Sequence, residues 1–348
     1  MDSLREHFEY FTPQSSPVYT AIAQIVATQP AILDALSVIP LQHSPRTVFL
    51  AAIHAVLLSG AKHALSDFYP TVGGQRIISD ENLTEFKIIF LDFYRKYQTE
   101  LKPYYLKNTQ TNEAKRSFAL LPGLSEIIER EKSNKLSLIE IGTSAGFLLN
   151  LDKYGYKINN LILGNKSAKK IFETTWTGKL PENLKDNFII PEHKIGIDIN
   201  PINIENKEEF LWLKALTWPE HVDRMENLDF ACEVLLQNKK ELLILKGTLE
   251  DHIDKIMSVC ADSKILCFYA VWVFYQLSES QKESINNIFI KLAKTTNKKI
   301  YFMFDDMDIA QVGHGVNIIL RRYDERGDYA DHEVCAACHH GSWIERHI

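Results

Sequence analysis

The residues best equipped for chemistry lie in one stretch, LSLIEIGTSAGFLLNLDKYG. An apolar run ends in Glu140, a loop with glycine at both ends follows from Gly142 to Gly146, and a second apolar run reads as a helix. Gly142 and Gly146 permit a sharp turn and let a ligand approach the backbone, Ser144 offers a hydroxyl, and a helix start presents unpaired amides. Glu140 narrows the ligand. Its carboxylate would repel a dinucleotide pyrophosphate, whereas a cofactor carrying an amino group and a sulfonium would gain from it. An ordinary tight strand-to-helix turn with a solvated acid accounts for the same letters.

A doubly wound sheet places an acid at the end of its second strand, where it accepts hydrogen bonds from ribose hydroxyls. Asp198, in IGIDINP, fits that place, or else opens an Asx turn before Pro201. The separation from Gly146 is about 50 residues, against about 20 in a minimal unit, so an insertion is required. TGKLPENLKDNFIIPEH, with NLILGNKSAKKIF as an extra hairpin, supplies it. ELLILKGTLEDHI makes a third strand ending near Glu250 and Asp251, acids that also suit a helix N-terminus. A fourth strand runs into Tyr269-Ala270-Val271-Trp272, whose aromatics either wall a pocket or fill the core.

The elements that must hold these residues alternate. Beyond Lys135 short apolar runs (LSLIEIG, HKIGIDI, ELLILKG, KILCFYAVW, KKIYFMFDD) alternate with helical stretches, the pattern of a parallel sheet with crossover helices. After Asp306, VNIILRRYD and EVCAACHHGSWIE read as an antiparallel pair around ERGDYADH. Before residue 108 the period is helical, as in Val18-Tyr19-Ile22-Ile25-Val26 and Phe86-Ile89-Phe90-Phe93-Tyr97. The expected organisation is an all-helical N-terminal domain over 1–108 and a Rossmann-like α/β domain over 109–348.

Bulk properties restrict partners. A net charge of -6 gives no general cationic field, which argues against a broad nucleic-acid surface. MDSLREHFEYF lacks the apolar run of a secretory signal, and Val48 to Leu58 is too short to cross a bilayer, so a soluble cytoplasmic protein is expected. Five cysteines fit buried thiols in a reducing compartment. Cys335-Ala336-Ala337-Cys338-His339 has the spacing of a haem-attachment motif or half a zinc site, but lacks the export signal of the one and the second ligand pair of the other, so no metal is expected.

The Glu140 to Gly146 loop resembles motif I of methyltransferases, with Ser144 where many members have glycine, and the sheet with its terminal hairpin resembles the class I methyltransferase architecture. Further segments resemble one bacterial family of uncharacterised, methyltransferase-like proteins: Ser16-Pro17-Val18-Tyr19, Tyr69-Pro70 with Gly73-Gly74, Gln110 to Glu113 with Arg116, Gly196 to Pro201, Trp218-Pro219-Glu220 with Arg224, and His340-Gly341-Ser342-Trp343. The resemblance implies S-adenosylmethionine as cofactor, with Glu140, Gly142, Ser144 and Gly146 at its amino-acid end, Asp198 at the ribose and Glu250 or Asp251 at the adenine. It implies methyl transfer to a small-molecule or protein acceptor, which Asn112, Glu113, Arg116 and Tyr269 are the candidates to orient or deprotonate, Tyr269 only with a lowered pKa or as a hydrogen-bond donor. Tyr269-Ala270 stands where that family usually shows a His-Ser pair, which leaves open a non-catalytic protein that binds the cofactor. A nicotinamide-dependent oxidoreductase fits Glu140 poorly.

Overall fold

A computed structural model describes residues 2–11, 15–306 and 315–346. The chain divides into two compact units, Met1–Thr111 with Asn203–Leu228, and Asn112–Ile202 with Asp229–Ile348.

The first unit contains α1 (Asp2–Glu9), α2 (Pro17–Ala27), α3 (Pro30–Leu36), α4 (Pro45–Leu58), α5 (Leu83–Leu101) and, from the later segment, α7 (Lys207–Ala215). Proline opens α2, α3 and α4, where its fixed φ suits the first turn and its missing N–H is no loss. Helix α4 is apolar on all sides and buried from Val48 to Leu57, so it forms the centre of the unit. Its one polar residue there, His54, is fully buried between the Ala215 carbonyl (3.2 Å from Nδ1) and the Thr71 hydroxyl (2.7 Å from Nε2). Burial lowers its pKa to about 4, so the ring is neutral.

Glu220 anchors the returning segment. Its carboxylate accepts the Val18 N–H (3.0 Å) and the Ser16 hydroxyl (2.7 Å), taking up donors at the start of α2 where negative charge is favoured. The Pro219 carbonyl accepts the Thr71 N–H, and the Trp218 ring meets Phe11 and Tyr19 with centroids 6.0 Å away in each case.

The second unit is a mixed α/β body with one large, mostly parallel sheet. Its strands are β1 (Lys135–Ile141), β2 (Gly155–Ile158), β3 (Leu161–Gly164), β4 (Ile171–Gly178), β5 (Ile190–Asp198), β6 (Leu242–Lys246), β7 (Ile265–Ala270), β8 (Lys299–Asp306), β9 (Val316–Tyr323), β10 (Tyr329–Ala337) and β11 (Trp343–Arg346). They lie in the order β3-β2-β4-β11-β10-β9-β8-β7-β1-β5-β6. From β1 the chain proceeds outward through β5 to β6, then crosses to β7 and β8 on the other side of β1, all in parallel. The order therefore reverses between β1 and β7, and a crevice opens at the carboxyl ends of strands at such a point. Strands β8, β9 and β10 pair antiparallel.

Alternation along the strands sorts their residues by face. Ile139, Ile141, Ile195, Ile197, Phe268 and Ala270 join Leu249 and Ile256 of α9 (Leu249–Val259) and Phe289 of α10 (Glu279–Thr295) in one apolar core. Glu140 and Tyr269, partners in the β1–β7 register, point to the opposite face.

The segment after the glycine loop differs from the α-helix expected there. Leu148–Lys153 is a 3-10 helix with non-helical dihedrals at Asn150. The Tyr154 and Tyr156 hydroxyls donate to the carbonyls of Phe147 and Leu151 (2.8 Å each), so side chains satisfy oxygens that an α-helix would have used. The insertion before Asp198 is folded as β2, β3 and β4, with β2 and β3 an antiparallel hairpin. Among the described residues no helix is long and apolar enough to cross a membrane.

His54 makes the first unit sensitive to acid. The unfolded ring protonates near 6.5 and the folded one only near 4, so the unfolded state binds more protons in that window and stability falls as pH drops through it. We expect about 3 kcal/mol at most to be lost between pH 7 and pH 4, measured by urea unfolding, with a shallower loss for His54→Gln. Identical pH slopes for both proteins would contradict the assignment.

Candidate functional site

The turn after β1 is built on the end of β5. The Gly142 and Thr143 N–H groups both donate to the Ile197 carbonyl (2.8 and 3.1 Å), and the Ser144 N–H donates to the Asp198 carboxylate (2.8 Å). The other Asp198 oxygen accepts the Asn200 N–H (2.7 Å). Gly142, Ser144 and Gly146 all have positive φ (77°, 54° and 88°), which glycine adopts freely and serine does at a cost. The Asp198 bond holds Ser144 in that conformation while its hydroxyl, buried, has no hydrogen-bond partner.

Asn112 closes the turn from the other side: its amide donates to the Thr143 carbonyl (3.3 Å) and accepts the Phe147 N–H (3.1 Å). The structure thus brings Asn112, Glu140, Gly142, Ser144, Gly146 and Asp198 together, with Asn112 and Asp198 bonded to the turn's backbone.

Glu140 is 3% exposed and accepts the Thr143 hydroxyl at 2.7 Å. Burial pushes its carboxyl well above the usual carboxylate range; Thr143 opposes that shift, Asp198 adds to it, and Arg116 opposes it. Tyr269 is wholly buried with an unpartnered hydroxyl. Burial, then the neighbouring Glu140, raises its pKa further, so the phenol is a hydrogen-bond donor and no base.

The segment leaving β7 forms the opposite wall. Trp272 has φ +61°, strained for a bulky residue, and such outliers persist only where the surroundings impose them. Here its Nε1–H donates to His339 Nδ1 (2.9 Å), Gln276 donates to its carbonyl (2.7 Å), and the Arg116 guanidinium lies 4.8 Å over its ring. Arg116 also donates from Nε to the His339 carbonyl (2.9 Å). Asp305, which the sequence reading passed over, is 1% exposed and faces the N–H groups of Val273, Phe274 and Tyr275 at 3.2 to 3.4 Å. Burial outweighs those donors and lifts its pKa to about 6. The segment it holds packs Val273 onto Gly142, where a Cβ would meet a Val273 methyl at 2.5 Å. An acid ending the fifth parallel run, in FMFDD, was the available signal.

Other expected site residues have local roles. Asp251 completes a capping box with Thr248 at the start of α9, and Glu250 accepts the Ser284 hydroxyl at 2.6 Å. Glu113 is buried at the start of the 3-10 helix Ala114–Leu120. Cys335 lies buried in β10 with its thiol toward the Ala119 carbonyl, and Cys338 beyond the strand accepts the Ser342 hydroxyl. Among the described residues no group of three or more His, Cys, Asp and Glu is placed to hold a metal ion.

No curated protein matches the chain. The segments that resemble one bacterial family occur in both units, Glu220 with Ser16 in the first and Asn112 with the glycine turn in the second, so the likeness extends beyond the glycine loop. A match over residues 2–346 accounts for that spread: the chain belongs to the family described as "Uncharacterized protein conserved in bacteria (DUF2332)".

Proposed function

We propose that the second unit binds S-adenosylmethionine and transfers its methyl group to a small-molecule or protein acceptor. The observation that carries this reading is the meeting of Glu140, Ser144 and Asp198 in one turn at the point where the strand order reverses. Its architecture would be that of a class I methyltransferase-type sheet, since the order β6-β5-β1-β7-β8 is a doubly wound half with a single reversal.

The residues present fit such a cofactor. The buried, unpartnered Ser144 hydroxyl lacks the bond that buried polar groups normally make. Glu140 offers a carboxyl to an ammonium. Ile199, 73% exposed beside Asp198, offers an apolar surface to a purine. The bound cofactor supplies an activated methyl and its leaving group, leaving the protein to orient the acceptor and exclude water. Asn112 holds the turn, Arg116 and Trp272 brace the wall, and Tyr269 donates a hydrogen bond to an acceptor oxygen or nitrogen. Val273 covers Gly142, so a ligand that touches that glycine would have to displace its side chain.

The buried Tyr269 phenol favours a second reading, in which the cofactor is bound without turnover. An acceptor needing deprotonation finds no base there, whereas one with an available lone pair needs none.

Calorimetric titration should give one site for S-adenosylmethionine and S-adenosylhomocysteine and none for NADH. Asp198→Ala, which removes charge-assisted bonds, should weaken binding roughly 10- to 100-fold. A parallel melting curve separates this from loss of fold, and absence of binding by both sulfur ligands would end the reading.

Proton release gives an independent test. Glu140 is protonated well above the usual range when empty, and an ammonium favours its ionised form. Affinity should therefore rise with pH until that raised pKa is passed. Binding enthalpies in buffers of different ionisation heat should differ for the wild type and converge for Glu140→Gln; equal enthalpies in the wild type would remove Glu140 from the cofactor.

A further inference from the structure

A cavity of about 190 Å³ lies at the amino end of β8, the end of the sheet opposite the glycine turn. It is smaller than the roughly 300–1,000 Å³ of sites for drug-sized ligands, so it suits a small ion or group. Two connections form it: the link from α10 to β8, with Asn297, Lys298 and Lys299, and the β9–β10 turn, with Arg322 at the strand end and Arg326 in the turn.

The surrounding charges do not cancel. Asp324 is engaged, because its carboxylate accepts the Arg326 and Asp328 N–H groups (2.9 Å each) and shapes the turn. Glu325 stands 3.6 Å from Lys299 in an exposed pair. Lys298 is held by the carbonyls of Cys260, Ala261 and Ser263 at 2.5 to 3.0 Å, which fixes its cation without neutralising it. The guanidinium groups of Arg322 and Arg326 have no ion pair among the described residues, although the chain is acidic overall. Four cations against two carboxylates leave a local surplus around one concavity, with the Asn297 amide beside it.

We propose that this cavity binds a phosphate-bearing anion, held by Arg322 and Arg326 with Lys298 and Lys299 behind them. Guanidinium groups present paired donors that match phosphate oxygens, and the carbonyl-held Lys298 contributes a fixed charge that needs no reorganisation. A cavity of this volume takes inorganic phosphate, pyrophosphate or the phosphate end of a larger metabolite. The inference stands apart from the proposed cofactor site, since no residue is shared.

The test is titration of the whole protein with inorganic phosphate and with pyrophosphate, followed by calorimetry and by melting temperature. Saturable binding of either at one site is expected, with Kd raised roughly tenfold or more in the Arg322→Ser, Arg326→Ser double variant. Lys87→Ser with Lys240→Ser changes net charge equally at exposed positions elsewhere and should leave Kd unaltered. The single Arg326→Ser, in an exposed turn, gives a readable variant should the double one fold poorly. Non-saturable binding, no binding, or equal loss in the lysine control would overturn the proposal. Saturation by a phosphorylated sugar tighter than by the bare ions would identify a metabolite in place of a free ion, with the anion site retained.

Discussion

Three successive amides after β1 turn onto β5: those of Gly142 and Thr143 reach the Ile197 carbonyl, and that of Ser144 reaches the Asp198 carboxylate. That bonding fixes the ends of the two central strands against each other. Positive φ at both glycines and at Ser144 follows from it, because the chain must reverse within five residues to present those amides. Gly196 on β5 is part of the same constraint, since a Cβ there would lie 2.6 Å from the Thr143 hydroxyl, which in turn bonds Glu140. The buried acid and the turn therefore form a single hydrogen-bonded assembly.

Local pattern carried the central strands well. LSLIEIG, HKIGIDI, ELLILKG, KILCFYA and KKIYFMFDD fall on β1, β5, β6, β7 and β8; β1, β7 and β8 are continuous apolar runs because they are buried on both faces, while β6 carries the same pattern at the half-exposed edge. The antiparallel pairing near the end was legible from a turn-rich spacer between two apolar runs. The helix after Gly146 was not. FLLNLDK carries an apolar periodicity that a buried 3-10 helix satisfies equally, and the deciding bonds come from Tyr154 and Tyr156 further along. Nor did pattern reveal that 203–228 belongs with the N-terminal helices. That association rests on Glu220 capping α2 from 202 and 204 residues away, and helical periodicity holds no information about such a partner.

Site residues were legible by type and less so by role. Asp198 reads as an acid at a strand end, and so it is, yet both its oxygens already accept backbone amides. Such a carboxylate can serve a ligand only with its remaining lone pairs. Asn112 likewise reads as a polar side chain near the mouth, while its amide spans the turn from Thr143 to Phe147. In both cases the side chain is committed to the backbone that would cradle a ligand, so its contribution is chiefly preorganisation. Asp305 does the same for the wall, three donors to one carboxylate, and its only signal in the sequence was an acid at a strand end.

Stability alone gives no reason to keep Glu140 and Tyr269 as they are. A buried hydroxyl without a partner costs about 1–3 kcal/mol, and a buried carboxyl held neutral is no better than an apolar side chain of its size. Phenylalanine at 269 would fill the same volume without that penalty. The strain at Trp272 has the same sense, for a glycine there would adopt φ +61° freely. Three departures from the most stable choice lie on adjoining strand ends at one reversal of strand order, next to a turn whose Gly142, Thr143, Ser144, Gly146 and Phe147 amides are hydrogen-bonded. Rigid support beneath unsatisfied polar groups is what recognition of a polar ligand requires, since the missing hydrogen bonds are then made by the ligand and only in the bound state.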